Sequence, residues 1–274
     1  MFKNIWAFTK KVAYSWKEDK VASLSASLAY YTIFSLTPLL IICIALAGLF
    51  LGEEAARGQI VDQISSLVGH ETGKQLQSMI ESANKPKTAI FAQAGGIIML
   101  LVGATGMFGE IQSGLNTIWG IKNDPNKGWW DVIKQRFLSF TMILGLVFLL
   151  LVSLVLSAFL TLISNSLGGF VVLSVALSYG LSFVIVMVLF ALMYKFLPET
   201  NIQWSDVWLG ALVASILFAI GKFFLGLYLT HADATSTFGA SGSLVVLLIW
   251  AYYVAQILFT GAEITEIIAS NRKN

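Results

Sequence analysis

Apolar residues run along this chain in long blocks separated by short polar stretches. A helix needs about 20 mostly apolar residues to cross a bilayer. Six windows reach that length, over about 24–51, 89–109, 137–163, 170–194, 207–229 and 244–268. The pattern predicts an all-α, polytopic membrane protein with six transmembrane helices in a single membrane domain, 1–274. The third and fourth windows are joined by Ser164-Asn165-Ser166-Leu167-Gly168-Gly169, a polar, Gly-rich turn that makes them antiparallel neighbours. Thr37-Pro38 interrupts the first window, where proline frees a backbone carbonyl and allows a kink.

Two stretches follow a different period. Phe2, Ile5, Trp6, Thr9, Val12, Ala13 and Trp16 recur at helical steps, with Lys3, Lys10, Lys11 and Lys17 on the other side. Residues 2–17 therefore predict an amphipathic helix, lying in the headgroup plane or docked on the protein's own core. Over 52–88, Ile60, Ile64, Leu67 and Val68 suggest one short helix, and Leu76, Met79 and Ile80 a second. This outer segment is too small for a domain of its own and reads as a lid over the ends of the bundle.

Composition strengthens the membrane reading. The chain is 57% hydrophobic and 12% charged, against roughly 25% charged in soluble domains, so water alone could not cover its surface. The placement of charge then orients it. Lys3, Lys10, Lys11, Lys17 and Lys20 precede the first window, Lys122, Lys127, Lys134 and Arg136 follow the second, and Lys195, Arg272 and Lys273 fall on the same side. The positive-inside rule puts both termini in the cytoplasm, and the first span is expected to act as an uncleaved signal anchor. Cys43 is the only cysteine and stands in an apolar run, as expected of an inert buried thiol. His70 and His231 are far apart, so neither a metal site nor another cofactor is expected.

Charged residues inside spans are costly and mark candidate function. Lys222 stands in the fifth window behind Ala211, Ser215 and Ala219, with Gly226 beyond it. In the sixth, Tyr252, Gln256 and Glu263 align at steps of four and seven, with Thr260 beside them and Glu266 near the inner surface. Glu110 ends the second window, seven residues after Gly103, itself seven after Gly96. These place Lys222, Glu263, Gln256, Glu110 and Tyr252 as candidates for a substrate pathway. The plainer alternatives are that Lys222 snorkels outward and that Glu110 and Glu263 are interfacial carboxylates, hydrated or paired with Arg136 or Arg272. The 231–243 segment, small, polar and Gly-rich, either dips into the outer face or forms a flexible turn.

Several stretches together resemble one known family. They are Ala26-Ser27-Leu28-Ala29-Tyr30-Tyr31-Thr32-Ile33-Phe34-Ser35-Leu36-Thr37-Pro38 and Leu115-Asn116-Thr117-Ile118-Trp119-Gly120. Tyr194-Lys195-Phe196-Leu197-Pro198, Trp204-Ser205-Asp206-Val207 and Gly210-Ala211 follow, then Phe238-Gly239-Ala240-Ser241-Gly242-Ser243, Leu248-Ile249-Trp250-Ala251-Tyr252 and Gly261-Ala262-Glu263. In order and spacing the chain is similar to the YihY/BrkB family of bacterial inner-membrane proteins, departing at Phe238, where a tyrosine is expected. The resemblance implies six spans, cytoplasmic termini and no settled activity; members have carried ribonuclease and virulence or serum-resistance labels. The scattered carboxylates here do not support a metal-dependent nuclease.

The residues favour transport or translocation of an amphipathic, lipid-like or anionic substrate, with membrane lipids as partners and no nucleic acid. The absence of a P-loop leaves ATP to a partner, if it is used. The alternative is a non-transporting envelope scaffold, self-associating or binding envelope proteins. No nucleophile with its base can be assembled, so an enzyme is not expected.

Overall fold

The structure, a computed structural model, describes residues 2–52, 106–121, 171–231 and 240–273, together with positions 54, 55, 57, 58, 60, 61, 77, 141 and 145. Helices account for the secondary structure among the described residues: α1 (Phe2–Glu18), α2 (Val21–Leu51), α3 (106–118), α4 (Val171–Phe196), α5 (Trp204–His231) and α6 (Ala240–Lys273). Two stretches, Trp204–Leu225 and Val245–Arg272, are each long and apolar enough to cross a membrane. A third is added if Val21–Leu36 and Leu39–Leu46, bent by 51° where Pro38 interrupts the hydrogen-bond ladder, count as one span. Most of the outer segment 52–88, the window 137–163 and the turn 232–239 lie outside the described residues.

Helix α6 is the hub. It packs against α5 along most of its length, against α2, and more lightly against α1 and α4, while α4 packs on α5. Small residues make the α5–α6 approach possible. A methyl group placed on Gly261 would lie 2.9 Å from the carbonyl oxygen of Gly210 and 3.0 Å from Cβ of Ala214. Helices in lipid associate through such close backbone approach. Farther along, the ring of Tyr253 lies over Gly221, and the Tyr253 hydroxyl donates to the Leu217 carbonyl at 2.9 Å. Gly210 against Gly261 and Gly221 against Tyr253 fix an antiparallel register.

The seam of α5 follows the stripe expected behind Lys222 only in part. Val207, Gly210, Ala211, Ala214, Ser215 and Gly221 are buried, whereas Ala219 is exposed and Lys222 half-buried. Steps of four residues drift by about 40° each around a helix of 3.6 residues per turn. A contact seam alternates steps of three and four, so the 211–215–219 row leaves it at Ala219.

Helix α3 carries Glu110, the residue next to the end of the second window, and continues to 118. Ile111, Leu115 and Ile118 carry an apolar stripe inward, and Gly114 lets the ring of Phe259 approach α3. The helix stops at Gly120, whose φ of 63° is the left-handed conformation glycine adopts without penalty. Gly120 N–H donates to the Thr117 carbonyl at 2.9 Å and Ile121 N–H to that of Asn116 at 2.8 Å, the two bonds of a Schellman cap.

Candidate functional site

One end of the bundle gathers most of the described polar contacts. Asn116, buried near the end of α3, accepts a hydrogen bond from the backbone N–H of Glu199 at 2.9 Å, tying α3 to the α4–α5 turn. Lys195 closes that turn by donating to the Ile202 carbonyl, with its ammonium 6.0 Å from the centre of the Trp204 ring. Arg272, near the end of α6, bonds Asp206 and Ser205, each at 2.7 Å. Lys11 of α1 donates to Asn271 at 3.1 Å. The described N-terminal helix and the C-terminal end of α6 therefore share this side of the bundle.

Glu263 lies just inside that end and is 1% exposed. Its carboxyl lies against that of Asp19, in the joint between α1 and α2. Glu263 Oε1 receives no hydrogen bond from a conventional donor among the described residues. Partial burial pushes the Asp19 carboxyl above the usual carboxylate range; the adjoining Glu263 carboxyl opposes this, and the charge of Glu18 adds to it. The joint turns at Lys20, with φ 52° and ψ 44°, a left-handed conformation that costs a non-glycine residue roughly 1 kcal/mol or more.

The other expected pathway residues are dispersed along the helices. Tyr252 and Gln256 are half-buried and share the Glu263 face of α6, with half-buried Thr260 beside them. The α5–α6 register puts Lys222 level with Tyr252, so Lys222 and Glu263 are separated by about 17 Å along the bundle, at 1.5 Å per residue. Glu110 is half-buried and accepts a hydrogen bond from the Ser27 hydroxyl of α2. Arg272 pairs with Asp206 of α5, while Arg136 lies outside the described residues. Sequence reasoning missed Asp19: within Lys17-Glu18-Asp19-Lys20 it reads as part of a solvated charge run.

On the neighbouring face of α6, Val246, Ile249, Trp250 and Tyr253 join Gly221, Phe224 and Leu225 of α5 around an apolar cavity of about 390 Å³. Phe218 and Tyr253 pack on Trp250, with ring centres 5.5 and 5.8 Å away. Phe224 and Ile249 are largely exposed at its rim. Among the described residues no group of three or more His, Cys, Asp or Glu side chains could hold a metal ion.

Long apolar helices, joined through small residues and showing hydrophobic side chains outward, define an integral membrane protein of helical type. The chain belongs to the Virulence factor BrkB family, whose model matches residues 12–274. A UPF0761 membrane protein of Cronobacter sakazakii is 29% identical over 264 residues, covering 93% of this chain and 86% of its own. A UPF0761 membrane protein of Pseudoalteromonas atlantica is 26% identical over 255 residues, 92% of this chain and 82% of the relative. A third, from Ralstonia nicotianae, is 27% identical over 257 residues, and there the match covers 90% of this chain but only 55% of the longer relative. No solved structure matches the chain.

Proposed function

We propose that this protein is a six-span bacterial inner-membrane translocator of an amphipathic molecule with an anionic or zwitterionic head group, with both termini in the cytoplasm. The carrying observation is the juxtaposition on α6 of two faces. One bears Tyr252, Gln256 and the buried Glu263; the next lines the apolar cavity shared with α5. An amphipathic substrate needs both, a wettable track for its head and a hydrocarbon surface for its chains. A charged side chain near mid-membrane costs roughly 2.5–3.5 kcal/mol even on the lenient insertion scale, and Lys222, level with Tyr252, offers a positive group to a phosphate or carboxylate. The gathering of α1 and the end of α6 on one side supports an even number of crossings, and their Lys and Arg residues support the cytoplasm as that side. Membrane lipid is the expected partner. On this reading the protein performs no covalent chemistry and uses no resident cofactor.

The test is reconstitution of the full chain into vesicles carrying a head-group-labelled fluorescent phospholipid, with label exposure followed over time. Wild type should accelerate exchange between leaflets, and Lys222→Met should slow it at least tenfold with assembly unchanged. A Lys222→Met protein as active as wild type would remove Lys222 from the pathway. A wild type that exchanges neither this lipid nor a free amphiphile would favour the scaffold, for which the exposed Trp6 and Tyr14 of α1 offer a contact surface.

A further inference from the structure

Two carboxyl groups meet where the N-terminal joint crosses α6, and neither can serve as donor unless one carries a proton. An ionised carboxylate only accepts hydrogen bonds, and like charges at contact disfavour double ionisation. The carboxyl groups of Asp19 and Glu263 nevertheless lie against each other, and the buried Oε1 of Glu263 has no conventional donor among the described residues. The charged groups felt by the pair add to the repulsion: Glu18 from α1 and Glu266 from α6. Helix α2 contains no charged residue. The cations nearby are engaged elsewhere or turned to solvent. Arg272 is bound to Asp206, Lys11 bonds Asn271, and Lys20 is exposed. From α3, Glu110 is engaged with Ser27, and from the end of α4 Lys195 bonds the Ile202 carbonyl.

We propose that Asp19 and Glu263 form a proton-binding site in which one shared proton holds the α1–α2 joint against α6, and whose deprotonation releases the joint. The proton bridges the two carboxyl oxygens when bound and returns to water through Asp19, the partly exposed member. Loss of the proton leaves two adjacent carboxylates, one of them 1% exposed, and the pair separates because repulsion and desolvation act in the same direction. Asp19 is the mobile partner, since it stands in a turn that Lys20 holds in a left-handed conformation, whereas Glu263 is fixed in the hub helix. For the protein's activity this rests on the translocation reading: the proton then gates the inner end of the polar face on α6. The proton site itself does not depend on any substrate.

The experiment uses the full chain in lipid nanodiscs without substrate. Infrared difference spectra across a pH titration should show a protonated carboxyl C=O band in wild type that disappears as the pH rises, and that is lost or shifted in both Asp19→Asn and Glu263→Gln. Spin labels at positions 11 and 271, in a Cys43→Ala background, should report a distance that lengthens over the same pH range. In Glu263→Gln the amide donates without titrating, so the distance should stay short throughout. Asp19→Asn provides the same test at a partly exposed position, should Glu263→Gln assemble poorly. A wild-type distance that does not change with pH, or an infrared titration untouched by both substitutions, overturns the proposal. Because neither readout involves transport, inactive vesicles would refute the translocation reading and leave the proton site standing.

Discussion

Gly261 provides the sharpest test of the packing at the hub. A methyl placed there meets the Tyr194 hydroxyl, the Gly210 carbonyl oxygen at 2.9 Å and Ala214 Cβ at 3.0 Å. Unstrained carbon contacts are about 3.5–4.0 Å, so Gly261→Ala must push α4, α5 and α6 apart by several tenths of an ångström. Overpacking of this kind costs about 1–3 kcal/mol. Tyr194 is fully buried and donates to the Leu258 carbonyl at 2.9 Å. Tyr194→Phe removes that bond at a cost of about 0.5–1.5 kcal/mol, because the carbonyl keeps its helical partner, and it also removes the oxygen that obstructs a methyl on Gly261. The double variant should therefore be less damaged than the sum of the singles, with a coupling of about 1–2 kcal/mol. It should remain below wild type, since the Gly210 carbonyl is still in the way. Reversible unfolding in mixed micelles, titrated with a denaturing detergent, measures all four proteins. Additivity within about 0.5 kcal/mol would mean that Tyr194 and Gly261 do not meet as described.

Arg272→Ala should destabilise the fold by about 1–3 kcal/mol, because Asp206, only 3% exposed, loses its cation; Asp206→Asn, which removes the charge, should partly restore the double variant in the same unfolding assay. Lys20→Gly should raise stability by about 0.5–1 kcal/mol by relieving a left-handed conformation, and a loss would show that the joint is held by the lysine side chain. The Asp19 carboxyl is raised in the folded protein, so the fold binds that proton more tightly than the unfolded chain does. The associated stability is full below the ordinary carboxylate range and is lost as pH rises through the raised value; the unfolding midpoint of wild type should fall over that window, and that of Asp19→Asn should not. Trp6, 74% exposed, should have its fluorescence quenched by brominated lipid if α1 lies at the membrane surface; quenching only by an aqueous agent would place it in water.

The helices were legible where a single periodicity governed them. The windows 207–229 and 244–268, which fall within α5 and α6, announce themselves by length and apolarity, because lipid accepts hydrophobic side chains on every face and the sequence need not alternate. The same property hides how they pack. With apolar residues all round, the buried side of α5 is marked by small size, and size alone did not separate the row: Ala211 and Ser215 are buried, but Ala219 looks as small as Ala214 yet faces outward. Asn116 and Thr117 follow the second apolar block as polar residues, and their place could not be read locally: Asn116 is buried against the α4–α5 turn, and the helix stops at Gly120.

The candidate site shows the same division between what lies along the chain and what must come together across it. Tyr252, Gln256 and Glu263 were readable as one face because helical spacing is a local property. What Glu263 touches is not local, since Asp19 stands 244 positions earlier (263 − 19) in a stretch whose composition is that of a solvated turn. No periodicity relates the two, and each alone has an ordinary explanation. Their meeting alters the chemistry of both: a carboxyl that would ionise freely in the joint becomes half of a pair that needs a proton. That contact also joins the amphipathic helix, the first apolar helix and the hub at one point, so a change in one proton is felt by three elements. Lys222, by contrast, stands about 17 Å away along the bundle axis, too far for direct pairing with Glu263. If both serve one pathway, they do so in sequence, with the polar face of α6 between them as the shared track.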